Sequence, residues 1–155
     1  MEIIEDIRQY IINNVNASIK KLSTTELPLA DLTSKNIVTS EIDTDKYKFN
    51  TMVHLIDGEE VYEDYGNSTN LKLASLPLVI TVLVKCGSSL EELYLKTKRY
   101  AAAVIACLIV DPTLGGKVSP IRVNSANYAY RVEGADGYNC IDINLEFEYV
   151  KNLKV

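Results

Sequence analysis

Between Asp57 and Asp64 the chain carries Asp57, Glu59, Glu60, Glu63 and Asp64, its densest group of side chains able to hold a divalent cation. A calcium site of the helix–loop–helix kind needs oxygen ligands at fixed positions around a glycine turn, and this run has neither the glycine position nor the ligand positions of such a site. It reads as a solvated acidic segment. His54 is the only histidine and has no nucleophile motif near it, so a Ser-His-Asp or Cys-His site would have to be assembled from scattered parts. Cys86, Cys107 and Cys140 are too far apart in sequence for the paired spacing of a zinc site, and each falls in an apolar element, as buried free thiols do. Glu146 and Glu148 share a strand face, yet alternation alone produces such a pair on any exposed strand. Gly115-Gly116-Lys117 resembles part of a phosphate loop, but that loop leaves a strand and opens a helix, and here the order is reversed. The residue types therefore nominate no catalytic, cofactor-binding or metal-ligating residue, and the expected chain is not an enzyme.

Charge narrows the choice further. A net charge of -5 with no Lys or Arg cluster argues against gripping a phosphate backbone, although DNA could pass nearby without specific binding. A chain of 155 residues, 47% hydrophobic, has the size of one globular domain, expected to span 1–155. The first residues lack the basic start and apolar run of a secretory signal, and no later stretch is long enough to span a bilayer. The expectation is a soluble protein made in the cytoplasm, with no membrane partner.

The elements that must position these residues follow from periodicity. From Glu2 to Leu22, Ile3, Ile4, Ile7, Ile11, Val15, Ile19 and Leu22 recur at helical spacing, while Glu5, Arg8, Gln9, Asn13, Asn16 and Lys20 take the other side. Residues 23–46 keep no period and predict a loop excursion. Tyr47 to Ile56 alternates as a strand, and 57–70 predicts an acidic loop or hairpin tip. Leu78 to Val84 is an almost unbroken β-branched run, the mark of a strand buried on both faces, with Pro77 implying an edge or a bulge. Ser88 and Glu91 form a capping box for a second helix, which ends at Asp111-Pro112-Thr113-Leu114-Gly115-Gly116. Val118 to Val132 and Tyr138 to Val150 then predict an antiparallel hairpin. The fold class is α+β: a mostly antiparallel four-stranded sheet with two main helices packed on one face.

Two surfaces stand out for contact with a partner. From Ala101 to Val110 the second helix is apolar all round, so it needs cover from the first helix or from another subunit. Ala102, Ala103, Ala106 and Val110, with Asp111 and Leu114 in the corner that follows, are the candidate interface. In the last strand Asp142, Asn144, Glu146 and Glu148 point away from Ile141, Ile143, Leu145 and Phe147. Asp142, Glu146 and Glu148, together with Asp57, Glu59, Glu60, Glu63 and Asp64, are the candidate acidic face, toward a channel or a partner.

The stretch from Leu78 to Val150 resembles the tail terminator, or tail-completion, proteins of tailed bacteriophages. The resemblance rests on the hydrophobic strand, the helix with Arg99-Tyr100 and small residues, the corner Asp111-Pro112-Thr113-Leu114-Gly115-Gly116-Lys117-Val118 and the closing hairpin. It covers about half of the chain, and the corner is its most specific element. It implies an α+β subunit that forms a homohexameric ring, caps the tail tube, stops its growth and meets the head-side connector, with no cofactor. The implied partners are further copies of the chain, the tail tube protein, the sheath protein where the tail has one, and the connector. The implied place is the head-proximal end of the tail in a virion or phage-tail-like particle. Another head-tail joining protein of the same particle, or a small metal-dependent enzyme using the acidic segment and His54, are the alternatives.

Overall fold

A computed structural model of the chain describes residues 2–39, 49–67, 69–85, 89–133 and 136–154. Helix α1 (Ile3–Leu22) begins with Glu5 and Asp6 and ends with Lys20 and Lys21, each charge opposing the helix dipole at its own end. Strands β1 (Ile37–Val38), β2 (Thr51–Asp57), β3 (Val61–Asp64) and β4 (Leu71–Lys85) follow, then helix α2 (Leu90–Val110) and strands β5 (Arg122–Glu133) and β6 (Asp136–Asn152).

The sheet runs β1-β2-β4-β6-β5, with β3 also beside β4, and only the β1–β2 pairing is parallel. This is the expected α+β class with six strands in place of four. The additional strands come from the segments read as the excursion and the acidic loop. β1 is too short to carry a period, and all four residues of β3, Val61-Tyr62-Glu63-Asp64, are exposed, so neither left an alternating signal.

The main core lies between one face of the sheet and the two helices. Ile7, Ile11, Val15 and Ile19 of α1 and Leu93, Val104 and Leu108 of α2 meet Leu78, Ile80 and Val82 of β4 and Ile143, Leu145 and Phe147 of β6. The opposite face has a smaller core of its own at one end, where Met52, Leu83, Tyr138 and Cys140 cluster with Val38.

Pro77 sits inside the central strand without breaking it. Its carbonyl accepts from Gly58 N at 2.8 Å, so its hydrogen-less nitrogen also points toward the join between β2 and β3 and away from β6. There, residues 58–60 stand opposite 76–77, the irregularity that the proline implies. A Cβ on Gly58 would stand 2.9 Å from Pro77 Cγ, so glycine is what lets the chain pass.

Two expectations need correction. Ser88 lies outside the described residues, and α2 is capped by Ser89, whose hydroxyl accepts from Glu92 N at 3.3 Å, one residue later than expected. Arg8 and Asn16, read as the solvent side of α1, hold the excursion down. Arg8 donates from Nε to Ile37 O at 2.7 Å and from Nη2 to Ser34 O at 2.9 Å. Asn16 both donates to Leu32 O and accepts from Leu32 N, each at 2.8 Å. With Leu27, Leu29 and Leu32 buried, residues 23–39 are an ordered strap across α1.

Candidate functional site

The end of α2 and the corner after it form one unit. Asp111 accepts from Gly115 N at 2.8 Å and from Thr113 Oγ1 at 3.1 Å, while Val118 N donates to Thr113 O and Ile121 N to Pro112 O. Leu114, Gly115 and Gly116 take positive φ values of 50, 73 and 88° in succession. Glycine adopts these freely; leucine does so at a cost, offset here by burial of its side chain in the main core. The corner thus turns the chain from helix into β5 and leaves the last helical turn at the surface.

On that turn Ile109 is 61% exposed and Val110 82% exposed. Ala102 is exposed and Ala106 half-buried, and the spacing places all of them on one side of the helix. Ala103 is fully buried and Leu114 nearly so, both facing the core. Asp111 is half-buried and its carboxylate is spent on the corner. Of the candidate interface, Ala102, Ala106 and Val110 therefore remain on the surface, and Ile109 joins them. Leu95, exposed, continues the stripe toward the helix start, past Arg99, which donates to Thr24 Oγ1 at 3.1 Å. The spacing 95, 99, 102, 106 and 109–110 was the signal for this stripe.

A cleft of about 260 Å³ opens between the strap and the first turns of α2, lined by Glu26, Leu27, Ser89, Glu91, Glu92, Leu95 and Arg99. Among the described residues no group of His, Cys, Asp and Glu could hold a metal ion. No helix among them is long and apolar enough to cross a membrane.

Strand register divides the candidate acidic residues between the two faces of the sheet. Asp142, Glu146 and Glu148 project from β6 on the face opposite the helices, and Glu63, opposite Leu73, joins them there. On that face Thr81 donates to Asp142 at 2.8 Å, Ser75 donates to Glu146 at 3.2 Å, and Arg122 stands 3.5 Å from Glu146. Asp64 lies on the helix side and pairs with Lys72, whose hydrogen bond holds the Asp64 carboxyl below its usual range. Glu60 binds Lys151 at 2.7 Å and accepts from the Tyr149 hydroxyl; its hydrogen bond raises the Lys151 ammonium pKa. Asp57 and Glu59 are exposed where β2 gives way to β3. Glu60 and Asp64 are thus neutralised pairs, and the acidic surface away from the helices is the β6 row with Glu63.

The remaining chemistry-bearing side chains are buried. His54 lies in β2 opposite Thr81, Cys140 in the smaller core and Cys107 in the main one, while Cys86 falls outside the described residues. Burial pushes the Cys107 thiol up to about 12, which keeps it neutral and poorly nucleophilic near neutral pH.

No family model matches the chain, and no curated protein matches it. Among solved structures, a chain of the "Virion of native gene transfer agent (GTA) particle" is similar at a TM-score of 0.49 and 19% sequence identity, over 91% of this chain and 98% of that one.

Proposed function

We propose that the chain is a structural, non-enzymatic subunit of a phage or phage-tail-like particle: a tail terminator that assembles into a ring at the head-proximal end of the tail tube. There it stops tube polymerisation and joins the tail to the head-side connector. The observation that carries this reading is the pairing of the Asp111–Val118 corner, the most specific part of the resemblance, with an uncovered apolar helix end at Ile109 and Val110. Exposed apolar side chains grouped on one helix face favour burial against a partner.

The ring consists of further copies of the chain, hexameric by the resemblance, and the surfaces left over meet the tube protein, a sheath protein where present and the connector. The Asp142, Glu146 and Glu148 row faces the passing DNA or a neighbouring protein, where like charge would prevent the duplex from sticking. Tube elongation followed by light scattering tests the reading. Substoichiometric chain should arrest growth, and Val110→Glu should lose the arrest while melting as the parent does. Unchanged growth with the parent chain would end the proposal.

A further inference from the structure

The backbone hydrogen-bonding direction of each strand can be traced outward from two contacts. Gly58 N donates to Pro77 O, so odd-numbered residues of β4 around Pro77 turn their backbone groups toward β2 and β3. Ser119 N donates to Glu148 O, so even-numbered residues of β6 turn theirs toward β5. In β5, Ser125 and Asn127, opposite Asn144 and Asp142, therefore bond to β6, while Ala126, opposite Ile143, turns its N–H and C=O away from the sheet. By the same alternation Tyr62 and Asp64 of β3 turn their backbone groups outward at the other side of the sheet.

β5 ends the strand order, and its span from Val123 to Tyr130 contains no charged residue and no proline. A long edge without those guards is a template for another strand. β3 is the acidic counterpart, with Glu63 on it and Asp57 and Glu59 exposed just before it, whereas the β5 sequence from Arg122 to Val132 has two arginines and no acidic residue. Pairing β5 with a second β5 in antiparallel fashion would bring Arg122 and Arg131 of the two copies close together. Antiparallel pairing with β3, Ala126 opposite Tyr62 or Asp64, instead brings position 131 to Asp57 or Glu59 and leaves Arg122 opposite uncharged residues.

We infer that β5 of one copy adds to the β3 edge of the next, extending one sheet across the subunit boundary in a head-to-tail contact. The parity fits. Ala126, Tyr62 and Asp64 lie on the helix side of the sheet, so the joined sheet keeps the helices of both copies on one side. It also sets Asn127 beside Val61 or Glu63 on the opposite face. A head-to-tail contact of this kind closes into a ring when its rotation allows. The inference rests on the reading that the chain assembles with itself.

The test mixes two full-length variants in a Cys86→Ser background, Asn127→Cys and Glu63→Cys, at the concentration where the parent assembles. A disulfide-linked dimer formed in the mixture and not in either variant alone is the expected result. Ala126→Pro, which removes an outward donor and no bond to β6, is expected to abolish assembly while its circular dichroism spectrum stays that of the parent. A dimer formed by Asn127→Cys alone would replace the contact with β5 on β5 and overturn the inference. So would a parent that assembles without the mixed dimer, or one that stays monomeric throughout. Tube arrest by the parent is measured separately. Arrest without the mixed disulfide removes this contact and leaves the functional reading standing.

Discussion

The two faces of β6 are built from alternate residues of one strand and do different work. Ile141, Ile143, Leu145 and Phe147 are buried in the main core, whereas Asp142, Asn144, Glu146 and Glu148 are half-buried and hydrogen-bonded or solvated. The first set supplies the apolar burial that holds the fold; the second keeps a polar surface at little cost to it. The pleat thus separates stability from the capacity for contact, so each can be changed with little effect on the other.

The strongest way to break that separation is at its buried side. Phe147→Ala should cost about 3–5 kcal/mol of unfolding free energy, because it opens a cavity where the side chain is 0% exposed. Denaturant titration would read the loss as a lower midpoint. On the other face Thr81→Val should cost about 1–2 kcal/mol, since Thr81 is the donor to Asp142 and that carboxylate is half-buried. A loss equal to that of Phe147→Ala would mean that the polar face is core as well. At the corner, Gly115→Ala should cost about 1 kcal/mol, all of it conformational, because its φ is 73° and nothing stands within 4 Å of the added Cβ. Glu148→Gln should stay within about 0.5 kcal/mol of the parent.

Cys107 sharpens the comparison by pH. Its thiol ionises at about 12 in the folded chain against 9.0 in the open one, so only the unfolded state loses its proton between those values. The folded chain should then lose about 1.4 kcal/mol of stability per pH unit across that window, a slope missing from Cys107→Ala. Below pH 9 the two slopes should coincide. In the same measurements, the stabilisation that Glu60 draws from Lys151 should be present up to the ordinary lysine range and fade as pH rises through the raised Lys151 value.

The sequence was readable wherever periodicity reports burial. The stripe of α1, the β-branched run of β4 and the alternation of β6 each have a face whose residue types name it. It was less readable where local pattern leaves two solutions. Ser88 with Glu91 and Ser89 with Glu92 are overlapping caps of the same kind, and only the path of the chain chooses the second. In the all-apolar end of α2 no polar residue marks the outer side, so Ala103 and Ala102 looked equivalent although one is core and the other surface. The acidic segment was read as one surface because its pairings are made across strands, Asp64 with Lys72 on the next strand and Glu60 with Lys151 on the last. Arg8 and Asn16 look like solvent positions for the same reason: their partners come from the strap.

The most direct test of the whole account is electron microscopy of tail tubes polymerised from the tube protein of the same particle and mixed with this chain. The account predicts one ring at one end of each tube, with elongation halted there. Binding along the tube wall, or no binding by a chain that is folded and assembled, would contradict it.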